Sequence, residues 1–374
     1  QKGFSVYIAG GMGLAPKTAL LLYPFIQHDQ VYNITKATKT LYHKYGNRKD
    51  KNAARLRFLL ASLGRQEFLR RFETEFAEVI KKNYPPLLLE PERKIRKGAL
   101  EVPLFLGDLT LSKAKSLALI MGDYGDDCVR VTPTQNLFLR DLPEDEVSEL
   151  RDRLTKEGIL KDLPVLMKRA TACAGAGTCK LGICLSRGLL SAIREEFLNN
   201  PPAPDRISDL SLKISGCLNS CAQHLIADIG FFGAAKKQNG HLVPFYNFLA
   251  GGVVEEGGTR FAEKAASLPA KRVPSFLLEF LQMVNETRLD GEPFVQYMER
   301  TDRSKILALE EKYAVVPGFH EDPSFYYDWN FNRLFSLDDR SEGECAAGAF
   351  DSAERSDTSV PLDSWERGGD QHDR

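Results

Sequence analysis

Two pairs of closely spaced cysteines constrain this chain more than any other feature. ATACAGAGTCKLGICLSRG contains Cys173 and Cys179, and ISGCLNSCAQHLIADIGFFG contains Cys217 and Cys221 just ahead of a run that alternates like a buried strand. The remaining cysteines, Cys128, Cys184 and Cys345, stand apart. An odd total of seven over 374 residues argues against a secreted disulfide framework and for a reducing cytoplasm. Four thiols in two tight pairs are the pattern of a metal centre.

The chemistry of that centre follows from the spacing. Four thiolates can hold a structural zinc or an iron-sulfur cluster. Zinc knuckles use two to four residues between ligands, so the five residues between Cys173 and Cys179 are atypical for zinc. The bacterial ferredoxin run, with two residues between successive cysteines, is absent as well. A cubane fed by two separated loops fits best, and the small residues of AGAGT let a backbone wrap closely around a bulky inorganic core. The plain alternative is four core cysteines packing as small hydrophobes. Cys184, five residues past Cys179, reads as such a core thiol, and Cys345 has no physical account.

The rest of the chain sets the frame. A formal net charge of -1 removes the usual argument for a nucleic-acid or membrane-surface partner, and no apolar run is long enough to cross a bilayer. The chain begins Gln-Lys-Gly-Phe, and its true N-terminus is expected upstream. GFSVYIAGGMGLAPKTALLL reads as strand, glycine loop and then helix, with Pro16 in the first turn. Its glycines fall short of a dinucleotide fingerprint. RKDKNAARLRFLLASL reads as one helix from about Arg48 to Leu63, with Arg48, Lys51 and Arg55 on one face and Arg57 away from it. A linker is expected around Pro85, Pro86 and EPERKIRKG.

From Gly107 we read a helix over LSKAKSLALIMGDYG, a strand over CVRVTPTQNLFLRDL and a helix over DEVSELRDRLTKEG. Further strands are expected at LIADIGFFG and LVPFYNFLAGG. The polar sequence after Ser336 reads as a tail without a fold. These readings give an α+β chain divided at 1–95, 96–165, 166–335 and 336–374.

TACAGAGTCK and SGCLNSCAQHLIADIGFFG resemble the two halves of the siroheme and 4Fe-4S signature of the nitrite and sulfite reductases. The likeness includes the spacings, Gly216, Asn219, and Asp228-Ile229-Gly230. VRVTPTQNLFL (129–139) is similar to that family's ferredoxin-like half-domain, and GNRKDKNAARLRFLL (46–60) to the end of its preceding catalytic half. The resemblance covers about residues 1–335 and implies a ferredoxin-like half-domain plus a siroheme/4Fe-4S nitrite-sulfite reductase domain. It makes 1–95 the remnant of the first catalytic half.

It also implies the chemistry: six-electron reduction of a small oxyanion, sulfite to sulfide or nitrite to ammonia. Sulfite is preferred because TCKLGICLSRG looks like bacterial assimilatory sulfite reductases. The implied cofactors are a 4Fe-4S cluster on Cys173, Cys179, Cys217 and Cys221, and siroheme, with Cys221 bridging cluster and haem iron. Electrons would come from a ferredoxin or another reductase. Siroheme carries many carboxylates, so guanidinium partners are expected, and Arg48, Arg55 and Arg57 are the candidates with Asn219, Arg55 being the first choice and Arg57 the alternative on another face. Arg130, Thr132 and Gln135 repeat a haem-contacting pattern but are read as structural support. His224 is read as a packing residue rather than a proton relay. The substrate-binding Lys and Arg of the family fall upstream of Gln1, so no catalytic residue is assigned. Rival readings are a cluster-only electron-transfer protein and a zinc module.

Overall fold

The computed structural model describes residues 3–13, 15–50, 53–86 and 96–338. Lys51, most of the expected linker, Cys345 and nearly all of the expected tail lie outside the described residues.

The N-terminal strand is β1 (Phe4–Ile8), but the glycine loop leads into a second strand, β2 (Leu20–Ile26), and not into a helix. The two pair antiparallel, with Ile8 opposite Leu20 and Phe4 opposite Ile26. Positive φ at Ala9 and Ala15 turns the chain back, which no helix tolerates. Three helices follow, α1 (Val31–Tyr45), α2 (Leu56–Leu63) and α3 (Arg65–Ile80). Ala37 and Leu41 of α1 meet Leu59 of α2 and Phe68 and Phe72 of α3 in a small core. The expected helix from Arg48 is thus shorter. Asn47 Oδ1 accepts from the Lys49 and Asp50 N–H groups in a local turn, and Arg55 is extended, with φ −142. Arg48 and Arg55 therefore share no helical face.

The next core lies beneath a three-stranded antiparallel sheet of β3 (Gly98–Val102), β4 (Val129–Val131) and β5 (Leu137–Leu142), in the order β3-β5-β4. Residues 98–102 alternate buried and exposed, and Leu100 and Val102 pack with α4 (Leu111–Gly122) and α5 (Val147–Lys156). The single strand expected over 128–142 is a hairpin. Pro133 has no N–H for a ladder, and Gln135 takes φ +63, so TPTQ turns, with the Gln135 N–H donating to Thr132 O at 3.0 Å.

The largest core surrounds a five-stranded sheet in the order β10-β9-β8-β7-β6. It contains β6 (Ala170–Ala172), β7 (Leu212–Ser215), β8 (Ile229–Gln238), β9 (His241–Ala250) and β10 (Glu263–Pro269). β6, β7 and β8 run parallel, and α6 (Ser186–Asn199) lies between the first two in sequence. β9 pairs antiparallel with both β8 and β10. α7 (Val273–Thr287), α8 (Phe294–Arg300) and α9 (Arg303–Tyr313) complete the layer. Phe248 of β9 touches Phe276 and Phe280 of α7 edge-on at 5.2 and 5.0 Å, so the helix is keyed to the sheet by aromatic packing. A final segment, 315–337, runs back along this unit.

Candidate functional site

The two cysteine loops leave the carboxyl ends of neighbouring parallel strands. Ala172 of β6 lies opposite Ile214 of β7, Cys173 follows directly, and Cys217 comes soon after Ser215. Loops that leave adjacent parallel strands emerge at the same edge of a sheet, which is where α/β proteins build their sites. The Cys173 N–H extends the ladder by donating to Ile214 O at 3.0 Å.

Gly216 stitches the loops together. Its N–H donates to Cys173 Sγ at 3.1 Å, and its carbonyl accepts from the Ile183 and Cys184 N–H groups, both at 2.9 Å. A Cβ on Gly216 would stand 2.6 Å from Cys184 O and 2.8 Å from Gly175 Cα, closer than any side chain permits. Gly175 adopts φ +60, which also favours glycine. Ser186 Oγ, at the start of α6, donates to Cys173 O at 2.8 Å and lies 3.4 Å from its Sγ. Cys217 is buried, Cys173 and Cys179 are half-buried, and Cys221 is exposed.

Cys184 differs from these four. It is fully buried, and its thiol donates to Ala234 O at 3.3 Å and Phe245 O at 3.5 Å. Burial pushes its pKa well up, with Asp328 adding to the effect. A metal ligand must ionise, so this is the core thiol the sequence leads one to expect. Among the described residues no three His, Cys, Asp or Glu side chains gather tightly enough for a single metal ion. A cubane is bulkier than an ion and takes thiolates that stand wider apart. The donor set fits it: four soft thiols on two loops, with a backbone N–H already aimed at one sulfur.

Met12 and Gly13 lie against the second cysteine loop. A Cβ on Gly13 would stand 3.6 Å from Asn219 O, Ser220 Oγ donates to Met12 Sδ at 3.8 Å, and Arg57 Nε donates to Ala15 O at 3.2 Å. Arg57, Asn219 and the Cys221 loop thus border one segment. Burial, with help from Arg55, lowers the Arg57 pKa, and a guanidinium still keeps its charge. Arg55 precedes α2 and donates to Ala54 O, whereas Arg48 is exposed and bonds His43 Nδ1.

Gln135 clasps β6 from the neighbouring unit, donating from Nε2 to Ala172 O at 2.8 Å and accepting from the Ala172 N–H at 3.2 Å. That supports the strand end bearing Cys173. Arg130 pairs with Asp127, and Thr132 Oγ1 accepts from the Asn136 N–H inside the hairpin. His224 is buried against Phe232, ring centroids 5.0 Å apart, with Nδ1 lacking a hydrogen bond. Burial pushes its pKa down to about 3, so it packs as a neutral ring. Lys213 of β7, half-buried with Nζ donating to Gln223 Oε1 at 2.9 Å, escaped the sequence reading. Its signal was a lone Lys inside the apolar run of β7.

A fold that presents paired cysteine loops beside a ferredoxin-like α+β unit defines an iron-sulfur redox protein. The nitrite and sulphite reductase 4Fe-4S domain matches residues 1–80 and 167–316, and the ferredoxin-like half domain of nitrite/sulfite reductase matches 94–157. The chain belongs to the nitrite and sulfite reductase family, whose cofactors are a 4Fe-4S cluster and siroheme.

Among its relatives, an assimilatory ferredoxin-dependent nitrite reductase of Haloferax mediterranei is 26% identical, over 79% of this chain and 54% of its own length. Sulfite reductase (ferredoxin) 1 of Mycolicibacterium paratuberculosis is 27% identical, over 81% of this chain and 57% of its own. The chain therefore spans about half the length of these relatives. The solved structure of the Mycobacterium tuberculosis NirA protein shares the fold, with a TM-score of 0.65 and 22% identity over 81% of this chain and 58% of that one.

Proposed function

We propose that this chain is the cluster-bearing portion of a siroheme-dependent reductase that takes sulfite to sulfide with six electrons from a ferredoxin or another reductase in the cytoplasm. The observation that carries the reading is the β6/β7 pair, which delivers Cys173, Cys179, Cys217 and Cys221 on two loops joined through Gly216. When bound, the cluster and siroheme supply one-electron steps and an open iron for the anion.

The chain's own residues hold and tune. Cys173, Cys179, Cys217 and Cys221 would hold the cluster, with the exposed Cys221 as the thiolate shared with the haem. The Gly216 N–H withdraws charge from the Cys173 sulfur, a lever on potential. We assign Arg57 to a carboxylate of the macrocycle and Asn219 to the adjacent polar edge. Arg55, the first choice from the sequence, and Arg48 are weaker candidates, because Arg55 is extended ahead of α2 and Arg48 bonds His43, whereas Arg57 bonds the segment that meets Asn219. Lys213 adds a positive charge behind the Cys221 loop.

Anaerobic reconstitution of the full chain with iron, sulfide and siroheme tests the reading. About five iron, four from the cluster and one from the siroheme, and four sulfide per chain, with a Soret and a red band, support it. Cluster absorption without those bands supports an electron carrier, and zinc without iron or sulfide overturns both. Nitrite is a second reading because the 26% identical relative is named a nitrite reductase, whereas the 27% identical one is named a sulfite reductase. Supplying reduced viologen with each anion, and measuring sulfide and ammonia, separates them.

A further inference from the structure

The segment from Pro317 onward lies beyond the match to the 4Fe-4S domain, which ends at residue 316. It is nevertheless built into the sheet unit. Phe325 and Tyr326 are buried against Ala234, Val243 and Phe245 of β8 and β9. The Tyr326 hydroxyl donates to Pro317 O at 2.9 Å and accepts from Asn239 Nδ2 at 3.1 Å. Trp329 Nε1 donates to Ala270 O at 2.9 Å, and the Lys271 ammonium sits 4.1 Å from the Trp329 ring centre. The backbone of Trp329 lies flush on α6, since a Cβ on Gly188 would stand 2.6 Å from Trp329 O.

Between these anchors stands a carboxylate with almost no solvent. Asp328 is 2% exposed, accepts from the Leu185 N–H at 2.7 Å through Oδ2, and accepts from the Trp329 N–H at 2.7 Å through Oδ1. Leu185 is the residue that opens α6, and no side chain of its own caps that helix. The first N–H groups of a helix need acceptors and favour negative charge. Asp328 supplies both from far along the chain. The next residue, Ser186, is the one whose hydroxyl holds Cys173. Asp328, Phe331 and Phe335 also line a cleft of about 290 Å³ together with Thr178, Cys179 and Lys180.

We propose that residues 317–337 form a strap that sets the first cysteine loop, with Asp328 as its positioning residue acting through Leu185 and Ser186 on Cys173 and Cys179. For its consequence at a metal, the inference rests on the cluster-binding reading. For its consequence on the loop, it does not.

The experiment uses the full chain with Asp328→Ala and Asp328→Asn, the latter keeping the shape and one acceptor oxygen, for the Leu185 N–H, while giving up the one that faces the Trp329 N–H. In the cofactor-free protein, hydrogen exchange of peptides spanning 176–188 is expected to quicken about tenfold in Asp328→Ala, the ratio that loss of one helix cap corresponds to. Peptides from β8 and β9 should stay within about twofold, and Asp328→Asn should recover most of the protection. After reconstitution, a chelator should bleach the Asp328→Ala cluster several times faster than wild type, with Asp328→Asn again close to wild type. Exchange at 176–188 within twofold of wild type in Asp328→Ala overturns the proposal. So does acceleration spread equally over β8 and β9, or an Asp328→Asn variant as loosened as Asp328→Ala. A wild-type chain that takes up no iron would sink the redox reading, yet the exchange result would still decide the strap.

Discussion

Replacing Gly216 with Ala attacks a backbone position that bonds both cysteine loops. The added Cβ would start 2.6 Å from Cys184 O and 2.8 Å from Gly175 Cα. Carbon contacts settle at about 3.5 Å or more, so the loops must part by most of an ångström. Both obstacles are backbone, so no side chain can swing aside. The movement strains three hydrogen bonds, from Gly216 N–H to Cys173 Sγ and from Ile183 and Cys184 N–H to Gly216 O. Overpacking costs about 1–3 kcal/mol and a weakened hydrogen bond about 1 kcal/mol, so a loss of about 2–4 kcal/mol is expected. Urea unfolding of the cofactor-free chain measures it, and iron per chain after reconstitution should fall with it. Gly122→Ala is the control. Nothing lies within 4 Å of that Cβ, and the site closes α4, so the change should be neutral or stabilising by up to about 1 kcal/mol. A Gly216→Ala chain within about 0.5 kcal/mol of wild type that still takes up its iron would refute the idea that close backbone contact joins the loops.

Two further outcomes follow from the same geometry. Cys184→Ala should keep its iron after reconstitution and lose about 1–2 kcal/mol of stability, because it removes a buried thiol that packs without ligating. Ala at Cys173, Cys179, Cys217 or Cys221 should lose the iron instead, and equal iron loss in Cys184→Ala would overturn this division. His224 gives stability a pH dependence. Its folded pKa is pushed to about 3 from an ordinary 6.5, so between those values the unfolded chain binds the extra proton. Stability from this source is fully present above about 6.5 and is lost as pH falls through the window, roughly 2 kcal/mol by pH 5. His224→Phe should flatten that slope in unfolding measured from pH 7 to 5, and an unchanged slope would show that another group carries it.

The cysteine pattern of the candidate site was legible in the sequence, because ligand-type residues at close spacing form short local patterns. The two cysteine pairs, the small residues between the first, and the strand after the second were readable as residues alone, and Cys184 stood out as the spare thiol. The fold was less so where tertiary pairing overrode local pattern. LLLYPFI looks apolar in a way that suits helix or strand, and only pairing with β1 decides it. The basic run 48–57 carried a plausible helical face, yet Asn47 diverts the chain before α2 begins. TPTQ was hidden inside a good strand pattern, although Pro133 already marked the break.

What sequence could not indicate is how the loops are held. The Cys173 loop is fixed from three directions, each by a residue remote from it in the chain. Gln135 grips Ala172 before it, Gly216 bonds its sulfur, and Asp328 secures the helix that follows. Asp328 has no motif that spacing would expose, and although Gly216 stood in the cysteine signature and Gln135 was read as structural support, the contact each makes forms only once a separate element has folded against the sheet. A redox centre gains from that arrangement. Thiolates held by contacts from separate elements move little when charge is added, so less of the driving force goes into rearranging the protein at each electron transfer. The rigidity is therefore expected to lie in the surroundings of Cys173 rather than in its glycine-rich loop, whose own sequence permits many conformations.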